Sequence, residues 1–89
     1  MPDYEALRAK GQRTLIAFLD AELKIGLTFV QSALLAHHAG HMDHYAQARA
    51  SAIKAAEAVR RFIGQVEDVR AKAEIGPQLA ELDRLIATL

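Results

Sequence analysis

Four histidines lie close together in the middle of the sequence and form its only concentrated group of unusual residues. His37, His41 and His44 would share one face if a single helix ran through them, and imidazoles four residues apart on a helix can chelate Zn²⁺ or Ni²⁺. Gly40 favours the end of a helix at this point, which would separate the first histidine from the others. We therefore predict a polar turn between two helices at these histidines and keep a metal site as the alternative hypothesis. We predict no cofactor.

Glu22 is the one charged residue within a broad apolar arc of the first predicted helix. A carboxylate in such a place is usually paired or lies at an exposed edge, so we expect either exposure or a salt bridge to Arg60 or Arg84. A catalytic acid would need a second titrating group nearby. The sequence has no nucleophile elbow, no phosphate-binding glycine loop and no carboxylate pair in an apolar setting, so we predict that the protein is not an enzyme.

The composition limits the classes of partner. The 89 residues predict one domain, 1–89, and carry 11 basic and 11 acidic side chains and no cysteine. A nucleic-acid-binding protein normally has a basic field, because neutralising phosphates supplies most of its affinity. The polar start of the chain does not resemble a secretory signal, and the longest apolar run, 25–36, is too short to span a bilayer. We therefore expect a cytoplasmic protein that binds neither nucleic acid nor membrane.

Helical periodicity is strongest in the second half of the chain, where every third and fourth residue in alternation is apolar. The nine positions are Tyr45, Ala48, Ala52, Ala55, Val59, Phe62, Val66, Val69 and Ala73. This narrow stripe predicts one long helix from about His44 to Lys72 or Ala73 that packs against a single partner helix. Gly64 falls on its outer face, and we expect the helix to continue through it because the stripe stays in phase.

Two further helices complete the predicted fold. The first begins at about Asp3 or Gln12 and ends at Ala39, with Gly11 as a possible kink or break, Gly40 at the turn and Asp43 capping the next helix. The third, of about a dozen residues, follows Gly76 and Pro77. The predicted fold is all-α: an antiparallel hairpin of two long helices plus a short third helix, with Gly26 and Ala55 at the closest approach.

The apolar arc of the first helix covers about 200° of its circumference, which one neighbouring helix cannot cover. In one interpretation, the third helix and the segment 4–7 cover the remainder, and the protein is a complete monomer. In the other, an apolar strip stays open and binds a partner helix or a second copy of the chain. The strip would include Leu27, Leu34 and Leu35, or Ile25 and Phe29. We favour the second interpretation and predict a protein-interaction module.

Small and aromatic residues on both sides of the predicted turn carry a family resemblance. They are Gly26, Phe29, Ala33, Gly40, Tyr45, Ala48, Ala52 and Ala56. Their order resembles the helical hairpin of tetratricopeptide repeats and is similar to the three-helix microtubule-interacting-and-trafficking domain. The segment 26–29 also resembles small bacterial helical proteins of unknown activity. The hairpin families imply a protein-binding role and no catalytic residue.

Overall fold

The structure is a computed structural model that describes residues 2–89, and within them it contains three α-helices and one short 3₁₀-helix. The elements are α1 (Pro2–His38), α2 (Met42–Phe62), the 3₁₀-helix (Ile63–Gln65) and α3 (Val69–Ala87). The described chain contains no strand, and the predicted all-α, three-helix fold is confirmed. The lengths of the second and third helices differ from the prediction.

The first helix is continuous through Gly11, which settles the question that the sequence left open. At about 1.5 Å per residue, its 37 residues span about 55 Å, against about 31 Å for the 21 residues of α2. Residues 3–11 are all exposed and extend beyond the other two helices; we call them the α1 overhang. Because Tyr4 and Leu7 belong to α1 itself, the alternative interpretation in which segment 4–7 covers part of the apolar arc of that helix is wrong.

The turn between α1 and α2 is confirmed at Gly40, which adopts a positive φ of 74°. The amide of Gly40 donates to the carbonyl of His37, and the amide of His41 donates to that of Ala36, so two of the last carbonyls of α1 are satisfied. The predicted cap at Asp43 is wrong. His41 occupies the N-cap position without a side-chain hydrogen bond, and Asp43 lies within the first turn of α2, where its charge still favours the helix dipole.

The second helix ends at Phe62, and its predicted continuation to Lys72 or Ala73 is wrong. After the 3₁₀-helix the backbone becomes extended at Val66, whose side chain is buried. Gln12 of α1 holds this connection from both sides. Its side-chain Nε2 donates to the carbonyl of Gln65 at 3.0 Å, and its side-chain Oε1 accepts from the backbone amide of Glu67 at 2.8 Å. The carbonyl of Gln65 and the amide of Glu67, which a longer α2 would have hydrogen-bonded within itself, are thus bonded to α1.

The third helix begins at Val69, eight residues before the predicted start at Pro77. Asp68 caps it by accepting a hydrogen bond from the amide of Ala71 at 3.0 Å. Pro77 therefore lies inside the helix, and the expectation that Gly76 and Pro77 mark a boundary is wrong. With 19 residues, α3 spans about 28 Å, and the hydroxyl of Tyr45 donates to the carbonyl of Leu89 at its far end.

The core lies where all three helices meet, and side chains of α2 and α3 both come close to Gly26 of α1. A Cβ added to Gly26 would lie 3.4 Å from the Cβ of Ala55 and 2.6 Å from Cδ2 of Leu82. The predicted pairing of Gly26 with Ala55 is confirmed, and α3 inserts Leu82 at the same level. The largest fully buried side chains are Leu19, Leu23, Val59, Ile75 and Leu82.

Candidate functional site

A shallow groove runs between α1 and α2, and we call it the α1–α2 groove. It begins near Glu22, passes Phe29 and Ser51, and ends beside the turn at His41. Its described lining comes only from α1, α2 and the turn, because α3 packs across the opposite side of this helix pair. The residues that line the part farthest from the turn are Glu22, Ile25, Phe29, Ser51, Lys54, Ala55 and Ala58.

Three of the five residues predicted to bind a partner line this groove. Ile25 and Phe29 form the α1 wall in the part farthest from the turn, and Leu35 lies nearer the turn. Ile25 is 43% exposed and Leu35 is 72% exposed, whereas Phe29 is half-buried against the core. The sequence grouped Leu35 with Leu27 and Leu34, but in the structure it belongs with Ile25 and Phe29. The groove therefore presents apolar side chains that their own chain leaves partly uncovered.

The other two predicted residues, Leu27 and Leu34, are also exposed but line none of the groove described above. Residues two positions apart on a helix differ by about 160° in direction, so Leu27 and Ile25 point to opposite flanks of α1. The two apolar sets of α1 are thus separate surfaces. The one at Ile25 is continuous with a groove formed by α1 and α2.

One acidic and one basic residue lie on opposite walls in the part of the groove farthest from the turn: Glu22 on α1 and Lys54 on α2. Glu22 is half-buried, and the salt bridges predicted for it are not formed. Arg60 instead pairs with Asp83 at 2.6 Å, and this hydrogen bond raises the pKa of the guanidinium. Arg84 pairs with Glu81, and its hydrogen bond lowers the pKa of that carboxyl group.

The histidines of the alternative metal hypothesis are not brought together. His37 packs edge-on against Tyr45, with ring centroids 5.5 Å apart, whereas His41 and His44 line the end of the groove beyond Gly40. Within residues 2–89, no group of three or more histidine, aspartate or glutamate side chains is placed to hold a metal ion. The turn at Gly40 is the reason, because it interrupts the helical spacing on which the hypothesis depended.

The α2 wall of the groove was missed from the sequence. Ser51 and Ala58 are small residues seven positions apart beside the alanine-rich stripe of α2, and this spacing was the available signal. The α1 overhang was also missed as a surface. Tyr4 is 67% exposed and Leu7 is 69% exposed, because α1 continues past the ends of both its neighbours.

The chain matches no family model, no curated protein and no solved structure. The resemblance to tetratricopeptide and microtubule-interacting-and-trafficking hairpins therefore stays a prediction. None of the helices described here is long and apolar enough to cross a membrane.

Proposed function

We propose that this protein is a non-catalytic interaction module that buries the α1–α2 groove against another helix, supplied by a protein partner or by a second copy of the chain. The observation that supports this proposal is the partial exposure of Ile25 and Phe29 in a groove between two helices. An amphipathic helix docks into such a groove by covering apolar residues at helical spacing. Each large side chain that becomes fully buried contributes about 1.5–3 kcal/mol.

The polar residues of the groove suit recognition more than catalysis. Glu22 and Lys54 lie on opposite walls, so an incoming helix with charges of both signs can satisfy each of them. The balance of 11 basic and 11 acidic residues favours a protein over nucleic acid or an anionic membrane as the partner. A cytoplasmic location is part of the same proposal.

Site-specific photo-crosslinking tests this proposal with a closely matched control. Benzoylphenylalanine replaces Ile25 in one variant and Leu27 in another, two positions that are 43% and 39% exposed on opposite flanks of α1. Irradiation of the cells that produce the chain, and of the purified chain, is followed by mass determination of the adducts. We expect a defined adduct from position 25 and none, or far less, from position 27.

Three results would count against the proposal. The absence of an adduct from position 25 in both settings would mean that the groove is not an interface. Equal adducts from both positions would mean that contact is unspecific. A specific adduct from position 27 alone would transfer the function to the opposite flank of α1.

A further inference from the structure

The α1 overhang and the α1–α2 groove present apolar side chains on the same face of the same helix. Tyr4 and Leu7 in the overhang, and Ile25 and Phe29 in the groove, all fall within about 60° of one direction around α1. One set has no neighbouring helix in its own chain, and the other lies in a groove that its own chain leaves open. A chain that carries a projecting apolar helix and an open apolar groove on one face can associate with a copy of itself.

We propose that the occupant of the groove is the α1 overhang of a second copy, in a two-fold symmetric dimer whose α1 helices run antiparallel and cross at Phe18. This inference rests on the proposed function and names the partner in it. Each protomer inserts its overhang into the groove of the other, so the same contact forms twice.

The spacing of residues along α1 supports this arrangement. Tyr4, Gly11, Phe18 and Ile25 recur at seven-residue intervals, as in the seam of paired helices. With the two-fold axis at Phe18, Gly11 of each copy faces Ile25 of the other, so a glycine accommodates a large side chain. An added Cβ at Gly11 would have no described neighbour within 4 Å in its own chain, so the space beside it is free.

Leu7 and Phe29 are related by the same axis. Leu7 of each copy meets Phe29 of the other, and both side chains gain cover that their own chain does not supply. At the centre, Phe18 is 41% exposed beside Phe62 and faces its symmetry mate. The arrangement therefore covers the exposed apolar side chains on this face of α1 without leaving a second open edge.

The size of the proposed contact sets its expected strength. The seam is about 40 Å long but only one helix wide, which is at the low end of specific interfaces. We therefore expect a reversible dimer with a dissociation constant in the micromolar range.

Sedimentation of the full chain between about 10 μM and 1 mM tests the dimer. Leu7→Glu places a charge in the proposed contact, and its side chain lies outside the core of the protomer, so circular dichroism should show an unchanged fold. We expect the dissociation constant to rise at least tenfold. Val69→Glu is the matched control, because Val69 is 82% exposed in the first turn of α3, where an acid suits the helix, and it should leave the constant unchanged.

Spin labels test the direction of the two helices, and the cysteine-free chain allows them to be attached at single introduced cysteines. The proposed axis separates the labels of Asp3→Cys by about 45 Å along the helices and those of Ala17→Cys by only about 3 Å. We expect the first pair to be far more distant than the second. Equal distances in the two dimers would overturn the antiparallel arrangement.

The remaining outcomes separate this inference from the proposed function. A chain that stays monomeric to 1 mM, or a dimer that Leu7→Glu does not weaken, would overturn the self-association. If position 25 still cross-links specifically to a different protein, the proposed function stands and only the identity of the occupant is wrong. If position 25 forms no adduct in any setting, both fail.

Discussion

Gly26 lies at a level where α1 is in close contact with both α2 and α3. Its missing side chain leaves room for Cδ2 of Leu82, which would lie 2.6 Å from an added Cβ, and Leu82 is itself fully buried. A glycine inside a helix normally costs about 1 kcal/mol relative to alanine. Here that cost is offset by close packing between α1, α2 and α3, so the residue serves the tertiary structure at the expense of helix propensity.

We expect Gly26→Ala to lower the free energy of unfolding by about 1–2 kcal/mol in spite of its better helix propensity, because the new Cβ displaces Leu82 from a close-packed site. Gly64→Ala is the matched control, since no described atom lies within 4 Å of its added Cβ, and it should stabilise the protein by about 0.5 kcal/mol. Urea denaturation of dilute samples measures both. If both substitutions raised the free energy of unfolding by the same amount, Leu82 would have to shift without any loss of packing energy, and the expectation would be wrong.

At the scale of the helices, α3 contains within it the proline at which the sequence predicted that the helix would begin. Pro77 lies in the ninth position of α3, where it has no amide to donate to the carbonyl of Ala73. The helix passes through it because Asp68 caps the start and because apolar residues continue in phase on both sides. Ile75 and Leu82 are both fully buried, so the burial of this stripe outweighs the local cost of the proline.

Replacing Pro77 by alanine should therefore stabilise the protein by about 1–3 kcal/mol, through a restored backbone hydrogen bond and a relieved clash in α3. Thermal unfolding followed by circular dichroism at low concentration would show a higher midpoint. If α3 instead began at Pro77, the same substitution would remove a favourable first helical residue, and the midpoint would stay the same or fall.

At the scale of the whole molecule, one helix is much longer than the bundle it belongs to. The molecule measures 58 × 19 × 15 Å, and the residues of the α1 overhang are all exposed. The main link between the α1 overhang and the rest of the chain is the salt bridge between Arg8 and Glu67. Both side chains of this pair are exposed, so the pair adds little stability. An isolated helical segment of this length is marginal in water without an external contact.

Hydrogen exchange should therefore divide α1 into two parts. In dilute solution, we expect the amides of residues 5–11 to exchange orders of magnitude faster than those near Leu23, which open only with global unfolding. Raising the concentration should slow exchange in residues 5–11 and around Ile25 together, because the proposed dimer buries both. Strong protection of residues 5–11 in the dilute monomer would contradict the marginal stability inferred for the overhang.

Apolar and small residues by themselves determined the all-α class, the turn at Gly40 and the pairing of Gly26 with Ala55. These features depend on local backbone preference and on side-chain size, both of which are visible in the chain. The end of α2 was not visible in this way, because the apolar period from Tyr45 to Ala73 is the same for one long helix as for two helices joined by a short connection. In the structure, contacts with Gln12, 53 and 55 residues away along the chain, distinguish the two.

The candidate site was likewise determined partly by the sequence and partly by the tertiary structure. From the width of its apolar arc, α1 was expected to expose a strip, and the five predicted residues include three that line the groove. Which flank is open was decided by the tertiary structure, because α3 packs on one side of the α1–α2 pair and leaves Ile25 and Phe29 on the other. A helix's own residues determine how much apolar surface it carries, but the direction in which the chain returns determines which part of that surface is covered.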